Sequence, residues 1–163
     1  MGKLIKWILI IAALWFLYNQ YREYQLNKQD EEEIPFTDPV FDRIFSENTF
    51  PGTIVWQSVT KEGKPVVLEV GDEKYGLKHI LCRHFADYCI NFKPKGSLFN
   101  PKTNSNQLFQ GLEFTVKNGK EVDKKSNNNN IRLDARTSIN GLNADYVLVF
   151  NKSGRIITFY PRL

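Results

Sequence analysis

From Trp7 to Tyr18 the chain carries no charged or strongly polar side chain, and Lys3 and Lys6 stand just before that run. An apolar head of this kind resists water, so the rest of the 163 residues must make a folded domain without it. A bilayer crossing takes roughly 20 apolar residues, whereas a signal-peptide core needs only about a dozen. Residues 4–18 fall between the two. No small-x-small cleavage site follows Leu17, and Tyr18, Tyr21 and Tyr24 with Trp15 have the character of an interfacial belt. We therefore expect residues 1–19 to be an uncleaved signal anchor that enters the membrane through residues 4–18. A removed signal peptide and a buried helix are the alternatives. Lys3 and Lys6 favour a cytoplasmic N-terminus, which sends the domain to the extracytoplasmic side, although Arg22 and Lys28 on the other flank oppose that orientation. A secreted domain is the alternative location. Residues 20–33 are polar and end in four acids, Asp30 to Glu33, as a solvated stalk would. The folded domain then spans residues 34–163, enough for one core of ordinary size.

Along that domain, Asp38 and Pro39 read as the cap and first position of a short helix with Val40, Phe41, Ile44 and Phe45 at helical spacing. Thr53–Trp56 and Pro65–Val70 read as a hairpin, and the last third reads as antiparallel sheet: Ile131–Ser138, Tyr146–Phe150 and Arg155–Tyr160. Leu108–Lys117 has strand character. Phe92–Lys102 contains Pro94, Gly96 and Pro101, which predicts an irregular basic loop bearing Lys93, Lys95 and Lys102. Lys124–Asn130, with four consecutive asparagines, predicts a low-complexity tip.

The chain's two histidines both lie in Tyr75-Gly-Leu-Lys-His-Ile-Leu-Cys-Arg-His84. Leu77, Ile80, Leu81, Phe85 and Tyr88 follow at spacings of three and four, so an amphipathic helix is expected to run through this stretch. At about 100° per residue, His79 and Arg83 lie about 40° apart on it and His84 about 140° from His79. His79 and Arg83 can face one ligand, and His84 shares their face only if the helix distorts. An imidazole that titrates near neutrality beside a guanidinium that never does suits phosphodiester chemistry without a metal. On the last strand, Thr158 and Tyr160 alternate onto one side with Ile156, and Arg132, Asp134 and Arg136 share a face of theirs. From Ile34 onward 18 lysines and arginines oppose 13 acids, a mild excess compatible with a polyanionic partner.

The Gly76–His84 segment, the sheet-rich C-terminal half and the ending Ile157-Thr-Phe-Tyr-Pro161 resemble the ribonuclease superfamily that joins barnase, EndoU, colicin D and RelE-like toxins (the BECR fold), especially its bacterial and phage toxin-type branches. The resemblance covers roughly residues 66–163. It implies an α+β fold, with helices packed on an antiparallel sheet of about four strands, and metal-independent cleavage of RNA, tRNA among its targets, without a cofactor. It further implies His79 as the foremost catalytic residue, Arg83 and His84 beside it, and Thr158 and Tyr160 lining the site; Arg132 and Arg136, from their shared strand face, and Lys78 are expected as substrate-binding residues. A toxin-type member would also have an immunity or antitoxin protein as partner. The implied reaction is attack of a ribose 2′-hydroxyl on the neighbouring phosphorus, giving a 2′,3′-cyclic phosphate. His79 would act as base or acid, Arg83 as phosphate clamp, and His84 or Arg136 as the missing partner.

Other chemistries fit less well. Cys82 and Cys89 are seven apart with no Cys-x-x-Cys pair, so a zinc site is not expected. On a continuous helix they lie about 10.5 Å apart along the axis, beyond disulfide reach, and we expect small core residues, bridged only if the helix ends between them. The competing function is a membrane-anchored extracytoplasmic module that binds a protein and catalyses nothing.

Overall fold

The computed structural model describes residues 38–46, 49–86, 88–89, 96–122 and 129–163. The expected anchor and stalk, Lys93, Lys95 and most of the asparagine-rich tip lie outside the described residues. No helix among the described residues is long and apolar enough to cross a membrane.

Asp38 begins the first helix, α1 (Pro39–Ser46), as its capping pattern predicts. Its Oδ1 accepts the backbone N–H groups of Val40 and Phe41 at 2.9 and 3.1 Å. Its Oδ2 accepts Ser105 N–H at 2.8 Å, so one buried carboxylate serves two helix N-termini. The hairpin follows as β1 (Ile54–Val59) and β2 (Pro65–Glu69), paired antiparallel.

Helix α2 (Gly76–His84) carries both histidines and begins without a side-chain cap. Lys78 N–H instead donates to Val70 O at 2.9 Å, at the end of β2. This start depends on glycine: Gly76 has φ +80°, and a Cβ there would lie 2.7 Å from Glu69 O and 2.8 Å from Gly71 Cα. Leu77, Ile80 and Leu81 are fully buried, as their spacing requires. The helix does not continue through Tyr88. It stops at His84, because Phe85 is already extended and His84 O accepts Phe99 N–H at 2.9 Å from a distant segment.

Leu108–Lys117 forms helix α3 (Ser105–Asn118) and not the expected strand. Leu112, Phe114 and Val116 alternate as a strand's residues would. The buried positions, Leu108, Gly111, Leu112, Thr115 and Val116, instead follow the helical period. A capping box starts it, with Gln107 N–H donating to Asn104 Oδ1 and Asn104 N–H to Gln107 Oε1.

The larger sheet is antiparallel in the order β3 (Lys120–Glu121), β4 (Asn130–Ile139), β5 (Leu142–Asn151), β6 (Ile156–Arg162). With the helices, this is the α+β class. Leu133, Leu148 and Phe159 stand in one cross-strand row of the core face, and Phe85, Phe99, Tyr146 and Phe159 stack through the middle of the core. A bulge departs from simple alternation on β6. Val149 pairs with Thr158 but Phe150 with Ile156, so Ile157 is the extra residue. Ile156 therefore joins the buried core instead of sharing an open face with Thr158 and Tyr160.

Candidate functional site

The register of β4, β5 and β6 assembles the second face of the sheet row by row. Arg132, Val149 and Thr158 form one row; Asp134, Val147 and Tyr160 the next; Arg136, Asp145 and Arg162 the third. Val147 is fully buried on this face, outside the main core cluster, so the surface has a floor. Helix α2 packs along β6, the edge strand, which brings its C-terminal residue onto the same face.

That residue is His84. Its Nε2 lies 3.1 Å from Thr158 Oγ1, and its ring stacks on Tyr160 with centroids 4.9 Å apart and planes at 18°. Its Nδ1 lies 3.3 Å from the carbonyl oxygen of Ser97. A carbonyl can only accept, so the proton of the neutral ring sits on Nδ1 and the Nε2 lone pair receives the Thr158 hydroxyl. His84 is 8 % exposed. This burial, chiefly, lowers its pKa to about 4; the charges of His79 and Arg83 act in the same direction, and the Ser97 hydrogen bond only partly offsets them. At neutral pH His84 is an uncharged base.

His79 stands behind it, with ring centroids 6.3 Å apart. Its Nδ1–H donates to Glu73 O at 2.7 Å, which leaves the Nε2 lone pair as the reactive position. The two imidazoles thus approach each other despite their angular separation on the helix. Yet it is His84 that meets Thr158 and Tyr160. The last strand lies alongside α2 as expected, but its hydroxyls meet His84, because the helix ends there and does not run on to Tyr88.

The remaining candidates divide. Arg132 donates through Nε and Nη2 to the two oxygens of Asp134, at 2.6 and 2.7 Å, and this pairing raises its pKa. Arg162 also reaches Asp134 at 3.0 Å and Asp145 at 3.4 Å. Arg136 is far more exposed and lies 3.6 Å from Asp145. The guanidinium groups therefore share the face of Thr158 and Tyr160 within a charged ladder. Lys78 is half-buried near the start of α2, where its backbone holds Val70. Arg162 was missed, although the i, i+2, i+4 series Thr158, Tyr160, Arg162 could have disclosed it. Ser97 and Glu73 act through carbonyl oxygens, which leave no signature in side-chain identity.

At the other end of α2, Arg155 Nε lies 3.3 Å from Glu69 Oε1 and its guanidinium lies 5.0 Å from the Tyr75 ring centroid. The helix is thus tied to the beginning of β6 by Arg155 and to its middle by His84.

Cys82 and Cys89 form a disulfide, with Cα atoms 5.0 Å apart. The end of the helix at His84 makes this possible, and it replaces the expectation of two small core thiols. Among the described residues, no group of three or more His, Cys, Asp or Glu side chains is gathered as a metal site requires.

Comparison with protein-family models finds no match, and no curated protein is significantly similar to the chain.

Proposed function

We propose that the chain is a metal-independent endoribonuclease of toxin type, cleaving RNA through 2′-hydroxyl attack to a 2′,3′-cyclic phosphate. The observation that carries this reading is the approach of His84 to Thr158 and Tyr160, with His79 as a second imidazole behind it. In-line transfer needs a base for the 2′ proton, an acid for the leaving 5′ oxygen, and donors for the charge that builds on the non-bridging oxygens. His84 is neutral in the free protein and holds its Nε2 lone pair toward the strand, so it serves as the base. A base with so low a pKa is weak, but a phosphodiester anion beside the ring favours the imidazolium and raises its basicity. His79 serves as the acid in its imidazolium form, in which Nε2 carries a proton as well as Nδ1. Thr158 and Tyr160 position the substrate, Arg83 balances the transition-state charge, and Arg132, Arg136 and Lys78 hold flanking phosphates.

A disulfide fits an oxidising compartment, which agrees with an anchor that places the domain outside the cytoplasm. RNA would then be met after delivery to a target cell, and an immunity or antitoxin protein would guard the producer. The test is incubation of the purified chain with total RNA in the presence of a chelator. Cyclic-phosphate ends are expected, with cleavage falling about 10²- to 10⁴-fold in His84→Ala and in His79→Ala. A parent that leaves RNA intact, or a His84→Ala variant that cuts at the parental rate, overturns the reading.

A further inference from the structure

The Cys82–Cys89 bond encloses the point at which α2 stops. Arg83, His84 and Phe85 lie inside the loop it closes, and Phe85 is the first extended residue. The amphipathic pattern does not stop there: Phe85 and Tyr88 continue the spacing of Leu77, Ile80 and Leu81. Local sequence thus favours a longer helix than the one observed. On such a helix residues 82 and 89 stand about 10.5 Å apart along the axis, against the 5.0 Å between their Cα atoms in the bridged form. The bond and the longer helix exclude each other.

The two arrangements also make different demands on His84. In the bridged form its carbonyl accepts Phe99 N–H, its Nδ1–H donates to Ser97 O, and its Nε2 meets Thr158. In a continuing helix the same carbonyl points along the axis to the N–H four residues on, which draws it away from Phe99 N–H. The Ser97–Phe99 segment then loses its hold on the ring.

We propose that the Cys82–Cys89 disulfide is a redox latch on this site: closed, it ends α2 at His84 and seats the imidazole on Thr158 and Tyr160; opened, it lets the helix run on and unseats the imidazole. Opening is a thiol–disulfide exchange with a dithiol reductant. One reductant thiolate attacks a cysteine sulfur, the second resolves the mixed disulfide, and two electrons and two protons leave the reductant as its own disulfide while Cys82 and Cys89 become thiols. For the activity proposed above, on which this consequence rests, the latch keeps the chain inert in the reducing cytoplasm where it is made, and a chain delivered with the bond closed stays competent until the recipient's own reductants open it.

The test compares the intact chain with and without a dithiol reductant, and with the Cys82→Ala/Cys89→Ala double variant. Three quantities are followed: helical circular dichroism, the NMR titration of His84, and RNA cleavage. Reduction is expected to add about one helical turn, to move the His84 midpoint upward from about 4 toward the ordinary histidine value near 6.5, and to lower cleavage at least about tenfold. The double variant should match the reduced parent whether or not reductant is present. An unchanged His84 titration on reduction overturns the latch, as does loss of the whole folded spectrum, which would make the bond a general staple. If RNA is cut in neither redox state while His84 still moves, the latch stands and the ribonuclease reading fails.

Discussion

Acidification offers a test of the His84 environment that does not depend on any activity. The folded chain holds this histidine at about 4 through burial, against an ordinary value of 6.5. Between those values the unfolded chain binds more protons than the folded one, so stability falls as pH falls. The contribution is fully present above 6.5, is lost progressively toward 4, and changes no further below that. Going from about pH 7.5 to about pH 5, the loss from this one side chain comes to about 2 kcal/mol, or roughly 6 °C in Tm for a domain of this size. Other groups titrate in the same range, so the measurement is a difference. Thermal unfolding is followed across that pH range for the parent and for His84→Gln, which cannot titrate at that position. The parent should lose about 2 kcal/mol more than the variant over the interval. Parallel pH profiles would refute the reasoning, because they would mean that His84 takes up its proton as readily in the fold as in the unfolded chain.

Two further outcomes follow from the same geometry. Gly76→Ala forces a Cβ against Glu69 O and Gly71 Cα at a residue with φ +80°, and should destabilise the fold by at least about 1–3 kcal/mol in urea unfolding; a neutral result would show that the start of α2 can shift freely. A nucleoside 3′-phosphate bound beside His84 should raise its NMR midpoint from about 4, because a nearby anion favours the imidazolium; a ring indifferent to saturating ligand would place the phosphate elsewhere.

Much of the α+β architecture could be read from patterns that act over a few residues. Asp38 and Pro39 marked the start of a helix, and the hairpin and the three long strands of the last third emerged near their expected positions. The segment Leu108–Lys117 shows the limit. Its apolar residues satisfy period two and period 3.6 in part, and the choice came from the Asn104–Gln107 capping box and the surface that α3 buries against the sheet. The candidate site shows the same limit more sharply. The residues were named from the sequence, but their ranking relied on an uninterrupted helix, and a bulge at Ile157 sent Ile156 into the core.

By itself the sequence determined which side chains were available: two imidazoles and an arginine on one helix, two hydroxyls alternating on the last strand, and two cysteines seven residues apart. Tertiary structure decided which of them meet. His84 lies 74 residues from Thr158 and 13 from Ser97, and helix α2 ends where a distant backbone N–H claims its carbonyl and a disulfide bends the chain back. Periodicity reports only the direction in which a side chain leaves its own helix or strand. Which partner waits there depends on contacts between distant segments, and those exist only once the chain has folded.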